Sequence, residues 1–130
     1  MKPRKFDLVR AESTAEALAA LSESGGNAKI FAGGQSLMAM MNLRLADPDV
    51  MVDISQVTEL SYLKEVGDKL EIGAAATQVE LLSWPGLAEK LPLLHQAIPH
   101  LGHFQTRNRG TICGSLAHSD PSSELPLCLA

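Results

Sequence analysis

A mixed α and β fold is predicted from three observations. Strand and helix patterns alternate through residues 1–55; a hairpin and short helices fill residues 56–130; and a glycine-rich turn follows a strand in the first stretch. The length, 130 residues, fits one compact domain. Hydrophobic residues make up 45% and charged residues 20%, which excludes a disordered tail. Aromatics are only 4%, so the core is built from Leu, Ala, Ile, Val and Met. That composition speaks against a stacking platform for single-stranded nucleic acid. Eleven basic against fifteen acidic residues, a net charge of −4, speak against a phosphate-backbone binder. No apolar run approaches the ~20 residues of a transmembrane helix. The basic start, Met1 to Asp7, lacks the apolar stretch of a secretory signal. Cys113 and Cys128 lack zinc-type spacing and read as reduced thiols of a cytoplasmic protein.

Phe6 to Val9 reads as the first strand. Ser13-Thr14-Ala15-Glu16 fits a capping box opening a helix with Leu18 and Leu21 on its apolar face, and Gly25-Gly26 ends it. Ala28 to Ala32 is a short apolar run, hence a buried strand. Leu37 to Leu45 is a Met-rich helix broken by Asp47-Pro48, with Met38, Met40 and Met41 as core filler. Val50 to Ile54 is the third strand. Gly67-Asp68 between Tyr62–Val66 and Lys69–Gly73 predicts a type II′ hairpin. Thr77-Gln78-Val79-Glu80 repeats the capping-box pattern. Pro92 opens a helix carrying Leu93, Leu94, Ala97 and Ile98. Residues 102–110 read as a polar loop. The last residues, Glu124 to Ala130, begin an apolar segment without a polar end, so another chain or a continuation of this one is expected to cover it.

Three segments carry candidate chemistry. Ala32-Gly33-Gly34-Gln35-Ser36 reads either as a plain strand-to-helix turn or as a cradle whose amides face an anion. Asn108-Arg109-Gly110-Thr111-Ile112-Cys113-Gly114-Ser115 is a second glycine-spaced loop, and two such loops can clamp a pyrophosphate from both sides. Arg107 and Arg109 read as solvated charges. Asp120 and Glu124 read as a helix entry capped by Asp120, or as acceptors for ligand hydroxyls. Cys113 reads as packed rather than reactive. No G-x-G-x-x-G or G-x-x-x-x-G-K-[ST] occurs, and the four histidines form no metal-type cluster. No side chain stands out as a catalytic acid or base.

In order and spacing, several of these segments resemble a known family. They are Phe31 to Leu37, Asn42-Leu43-Arg44, Ile72-Gly73-Ala74, Arg107 to Ile112 and Gly114 to Pro121. The chain resembles the flavin-binding medium subunit of molybdenum hydroxylases, which include carbon monoxide dehydrogenase and xanthine dehydrogenase. The resemblance implies an α+β FAD-binding domain of the vanillyl-alcohol-oxidase (PCMH) type. Residues 1–55 would form a small α/β subdomain and residues 56–130 the first part of a larger α+β one. Ala32, Gly33, Gly34, Gln35 and Ser36 would hold the FAD pyrophosphate from one side. Thr111, Ile112, Cys113, Gly114 and Ser115 would hold it from the other. Thr77, Leu101 and Gly102 would line the cofactor, and Asp120 or Glu124 would bind its ribityl or ribose hydroxyls. Cys113 stands where the family usually has a second glycine.

The function so implied is electron transfer in an oxidoreductase. Molybdopterin would sit in a large partner subunit and iron–sulfur clusters in a small one; FAD would pass electrons to an external acceptor. The alternatives are a stand-alone flavin oxidase or reductase of the same fold, and a non-catalytic fragment that no longer holds FAD.

Overall fold

The computed structural model describes residues 1–130. Three short strands, β1 (Asp7–Arg10), β2 (Ala28–Phe31) and β3 (Val50–Asp53), pair in parallel in the order β1-β3-β2. Helix α1 (Thr14–Glu23) joins β1 to β2, and α2 (Leu37–Asn42) joins β2 to β3. Strand β3 is central, and its Met51 and Val52 are fully buried. The run at 28–32 was expected to be a buried strand, but β2 lies on the sheet edge and Ile30 stays half exposed. Apolar content in a short strand does not say which strand takes the centre; connection handedness and pairing do.

Helix α1 packs on β3 through Ala17, with Ala20 and Leu21 alongside. Leu18 was expected on the same face, yet it is 62% exposed. The Ser13 hydroxyl accepts from the Glu16 amide at 3.2 Å, while the Glu16 carboxylate accepts from the Glu12 amide rather than from Ser13. Helix α2 stops earlier than Asp47-Pro48 would dictate. Arg44 adopts φ +59°, its amide bonds to the Met41 carbonyl, and the Leu45 amide reaches the Met40 carbonyl. This is a Schellman closure with arginine in the position that usually favours glycine. Of the three methionines expected in the core, only Met41 is buried.

Strands β4 (Leu63–Val66) and β5 (Lys69–Ile72) form the hairpin, with Gly67 at φ +63°. Thr77 and Glu80 close a complete capping box at the start of α3 (Gln78–Leu82). Next come α4 (Leu87–Lys90), α5 (Pro92–Ala97), α6 (Phe104–Arg107), α7 (Ile112–His118) and α8 (Glu124–Leu129). The predicted polar loop at 102–110 therefore contains one helical turn. Pro92 sits in the first turn of α5, as expected, but only Leu94 of that helix is fully buried and Leu93 is exposed. Asp120 caps no helix: its carboxylate accepts from the amide and hydroxyl of Ser122, and α8 starts four residues later.

Two apolar clusters result. One joins Ala11, Ala17, Val52, Ile54 and Val57 under the parallel sheet. The other joins Ala76, Leu81, Leu87, Leu94, Ile98, Leu101, Ile112 and Leu125 among the short helices. No helix is long and apolar enough to cross a membrane. The contrast between Leu81, wholly buried, and Leu18, exposed, is directly testable. Leu81→Ala lowers the unfolding free energy by about 2–5 kcal/mol, whereas Leu18→Ala changes it by less than about 0.5 kcal/mol, both read by urea denaturation.

Candidate functional site

A cleft of about 680 Å³ lies between the end of β2 and the start of α7. All five residues of the first loop line it: Ala32, Gly33, Gly34, Gln35 and Ser36. Their backbone amides donate to no acceptor in the protein. Five consecutive N–H groups without a protein acceptor, on residues that line a concave space, are the donors an anion-binding loop requires. Gly34 holds φ +69°, and a Cβ there would come within 2.2 Å of the Phe31 ring. The turn therefore needs glycine both for its backbone angle and for space.

The second loop faces the first directly. A Cβ on Gly33 would stand 2.1 Å from the Arg109 carbonyl oxygen and 2.8 Å from the Gly110 Cα. The two backbones thus meet at a distance only glycine allows. Thr111 is buried, its hydroxyl accepts from the Gly114 amide at 3.0 Å, and this caps α7. The Cys113 amide has no protein acceptor. The Ile112 amide is already bound to the Ala76 carbonyl at 3.2 Å, and its side chain is buried in the helical core.

The structure thus brings 13 of the 15 expected site residues to one cleft: the first loop, Leu101, Gly102, Thr111, Cys113, Gly114, Ser115, Asp120 and Glu124. It places the other two behind it. Ile112 is core, and Thr77 is the α3 cap, bridged to Thr111 across an isolated antiparallel pair. Both support the second loop from outside the cleft.

Sequence reading missed several contributors. Gln78 lines the cleft and is almost fully buried; its Nε2 donates to the Ser115 hydroxyl at 3.1 Å. The Gln78 Oε1 is buried without a partner. The only signal was a polar residue inside a capping-box motif, which normally reads as exposed. Arg107, expected to be a solvated charge, donates from Nη1 to the carbonyls of Pro99, Leu101 and Gly102 at 3.2, 3.1 and 3.0 Å. It holds the turn that brings Leu101 and Gly102 to the cleft. Gly102 sits at φ +52° there.

Two groups have shifted acidities. The Cys113 thiol lies against the Ile72 and Gly73 carbonyls at 3.6 and 3.7 Å, and burial pushes its pKa up from 9.0. It is packed and neutral, not a thiolate nucleophile. The Ser122 hydroxyl and amide hold the Asp120 carboxyl below its ordinary 3.8, with His118 adding a smaller pull. Asp120 thus stays charged at neutral pH and can accept hydrogen bonds from hydroxyls at the cleft rim.

The residues fit a phosphate-bearing cofactor. Residues whose amides have no protein acceptor line the space, glycines leave room for a ligand's approach, and the buried Gln78 oxygen lacks a donor. The fold and the cleft together define the class: a domain that holds such a cofactor between two backbone loops. The chain belongs to the family described as the FAD binding domain in molybdopterin dehydrogenase, which matches residues 4–130. It is 43% identical over 129 residues to the 6-hydroxypseudooxynicotine dehydrogenase complex subunit alpha of Paenarthrobacter nicotinovorans, covering 99% of this chain and 44% of that one. It is 40% identical over 126 residues to the carbon monoxide dehydrogenase medium chain of Hydrogenophaga pseudoflava, covering 97% of this chain and 44% of that relative. The structure of carbon monoxide dehydrogenase from the same organism, lacking the Mo-pyranopterin moiety, superposes with a TM-score of 0.91 at 41% identity, covering 97% of this chain and 44% of that chain. Quinoline 2-oxidoreductase from Pseudomonas putida 86 superposes with a TM-score of 0.90 at 36% identity, again covering 97% and 44%. The chain thus spans less than half the length of these relatives. FAD is the cofactor of the family, and the α+β fold is the family's fold.

The raised pKa of Cys113 gives a test of its packing. Its stabilised form is the neutral thiol, so at any pH below the raised pKa it carries less thiolate than an unperturbed cysteine. Alkylation by iodoacetamide at neutral pH, followed by peptide mass spectrometry, is expected to modify Cys113 more slowly than a free cysteine peptide.

Proposed function

We propose that this chain forms the pyrophosphate-holding part of the FAD-binding, electron-transferring subunit of a molybdenum-containing hydroxylase. The observation that carries the reading is the pair of loops meeting at Gly33 and Arg109–Gly110, with five unpartnered amides on residues that line the cleft. Family membership and the match to carbon monoxide dehydrogenase support it. Bound FAD would supply the redox chemistry that links iron–sulfur clusters of a small partner subunit to an external acceptor. Substrate hydroxylation would take place at molybdopterin in a large partner subunit, and the assembly would be cytoplasmic.

The chain's own residues bind and orient. Amides of Ala32 to Ser36 and of Cys113, which have no protein acceptor, would donate to phosphate oxygens, and the Ser36 and Ser115 hydroxyls would add to them. The carboxylate of Asp120 or Glu124, both of which line the cleft, would accept from ribityl or ribose hydroxyls. Leu101 and Gly102, steadied by Arg107, wall the cleft. Thr77 and Ile112 hold the second loop from behind. We propose a subdomain division at residues 55/56 that places the parallel sheet on one side of the cofactor and the helical cluster on the other.

Purification of the natural protein tests the assembly. Molybdenum, iron and acid-labile sulfide are expected to co-purify with a flavin absorption band. A flavoprotein that oxidises an organic substrate directly, with neither metal centre, overturns the reading. The loops are tested separately. Gly33→Val forces the loop backbones apart, and Gly114→Val strikes the Thr111 cap, whose hydroxyl lies 2.6 Å from the position of an added Cβ. Each is expected to abolish FAD retention, read as the flavin-to-protein absorbance ratio, while circular dichroism stays native.

A further inference from the structure

We propose that Gln78 is a positioning residue of the pyrophosphate cleft: its carboxamide holds the Ser115 hydroxyl so that the Ser115 proton is free for a phosphate oxygen of the cofactor. The proposal rests on the reading of the cleft as an FAD site and adds a residue outside both glycine loops.

Four observations carry it. Gln78 is only 5% exposed, although it begins a short helix whose motif predicts a surface position. Its amide N–H donates to the Gly110 carbonyl at 2.9 Å, so its backbone is tied to the segment that touches Gly33. Its Nε2 donates to Ser115 Oγ at 3.1 Å. Its Oε1 is the one buried side-chain polar atom of the molecule without a partner.

The chemistry follows from donor counting. A serine hydroxyl has one proton and two acceptor positions. In a helix an unrestrained serine donates that proton back to the carbonyl one turn earlier, here Thr111. Here the Ser115 oxygen accepts a hydrogen bond from Gln78 Nε2, the Ser115 hydroxyl donates to no protein acceptor, and Gln78 and Ser115 both line the cleft. The hydroxyl proton is then available to a ligand oxygen. A glutamine serving packing alone would use both ends of its amide or be replaced by an apolar side chain, because an unpaired buried acceptor is destabilising.

The test is FAD affinity of the natural protein after flavin removal, read by quenching of flavin fluorescence across pH. Gln78→Leu is expected to weaken binding about tenfold to a hundredfold, the size of one hydrogen bond to a charged group. Ser115→Ala is expected to weaken it similarly, and Gln78→Leu should add almost nothing on the Ser115→Ala background. Gln78→Glu separates positioning from packing. Its ionised carboxylate accepts a hydrogen bond from the Ser115 hydroxyl, drawing that proton away from the ligand, and repels phosphate, so binding is weak at neutral pH. On acidification the neutral acid donates to Ser115 and affinity returns, a pH profile absent from the wild type. Wild-type affinity in a folded Gln78→Leu protein, full additivity with Ser115→Ala, or a flat pH profile for Gln78→Glu overturns the proposal while leaving the FAD reading intact. If Gln78→Leu fails to fold, the Gln78→Glu profile decides alone. Failure of the wild type itself to take up FAD overturns the cofactor reading and this proposal together.

Discussion

Everything at the cleft depends on one steric fact: the backbone of Gly33 lies against the backbone of Arg109 and Gly110, with no room for a Cβ. The contact joins an irregular turn at the end of a parallel strand to an irregular turn at the start of a helix. Each turn leaves amides unpaired, which is costly in isolation. Their arrangement around a common space makes that cost the source of binding capacity, since an anion satisfies several donors at once.

The rest of the molecule holds these two turns in place. Central strand β3 pairs with both β1 and β2, so the end of β2, where the first loop starts, is anchored by the most buried strand. On the other side, the Thr77–Glu80 capping box sets the start of α3, and Thr77 pairs with Thr111. Ile112 enters the helical core and Thr111 caps α7. Arg107 gathers three carbonyls and fixes the turn at Leu101 and Gly102. Rigid regular elements thus position irregular ones, the usual division of labour between scaffold and site.

Local pattern made much of the fold legible. Capping boxes, the Gly67 hairpin, Pro92 at a helix start and the strand–helix alternation depend on neighbours within a few residues. What misled was burial. The β2 run is apolar but lies at an edge, Leu18 has helical spacing but faces outward, and the Met-rich helix buries only Met41. The end of α2 was set by Arg44 in a left-handed turn, a choice that long-range packing imposes and composition does not announce. Asp120 shows the same limit, since its carboxylate folds onto Ser122 instead of capping a helix.

The sequence by itself determined the two glycine loops, their order and the family they belong to, because glycine spacing records where a backbone must turn or come close. Only the tertiary structure decided that Gly33 meets Arg109–Gly110 across 76 positions of chain, that Thr77 and Ile112 stand behind the cleft, and that Gln78 and Arg107 serve it. Those facts depend on which surfaces face one another after folding. Gln78 and Arg107 look like ordinary surface polar residues until long-range packing gives them their partners.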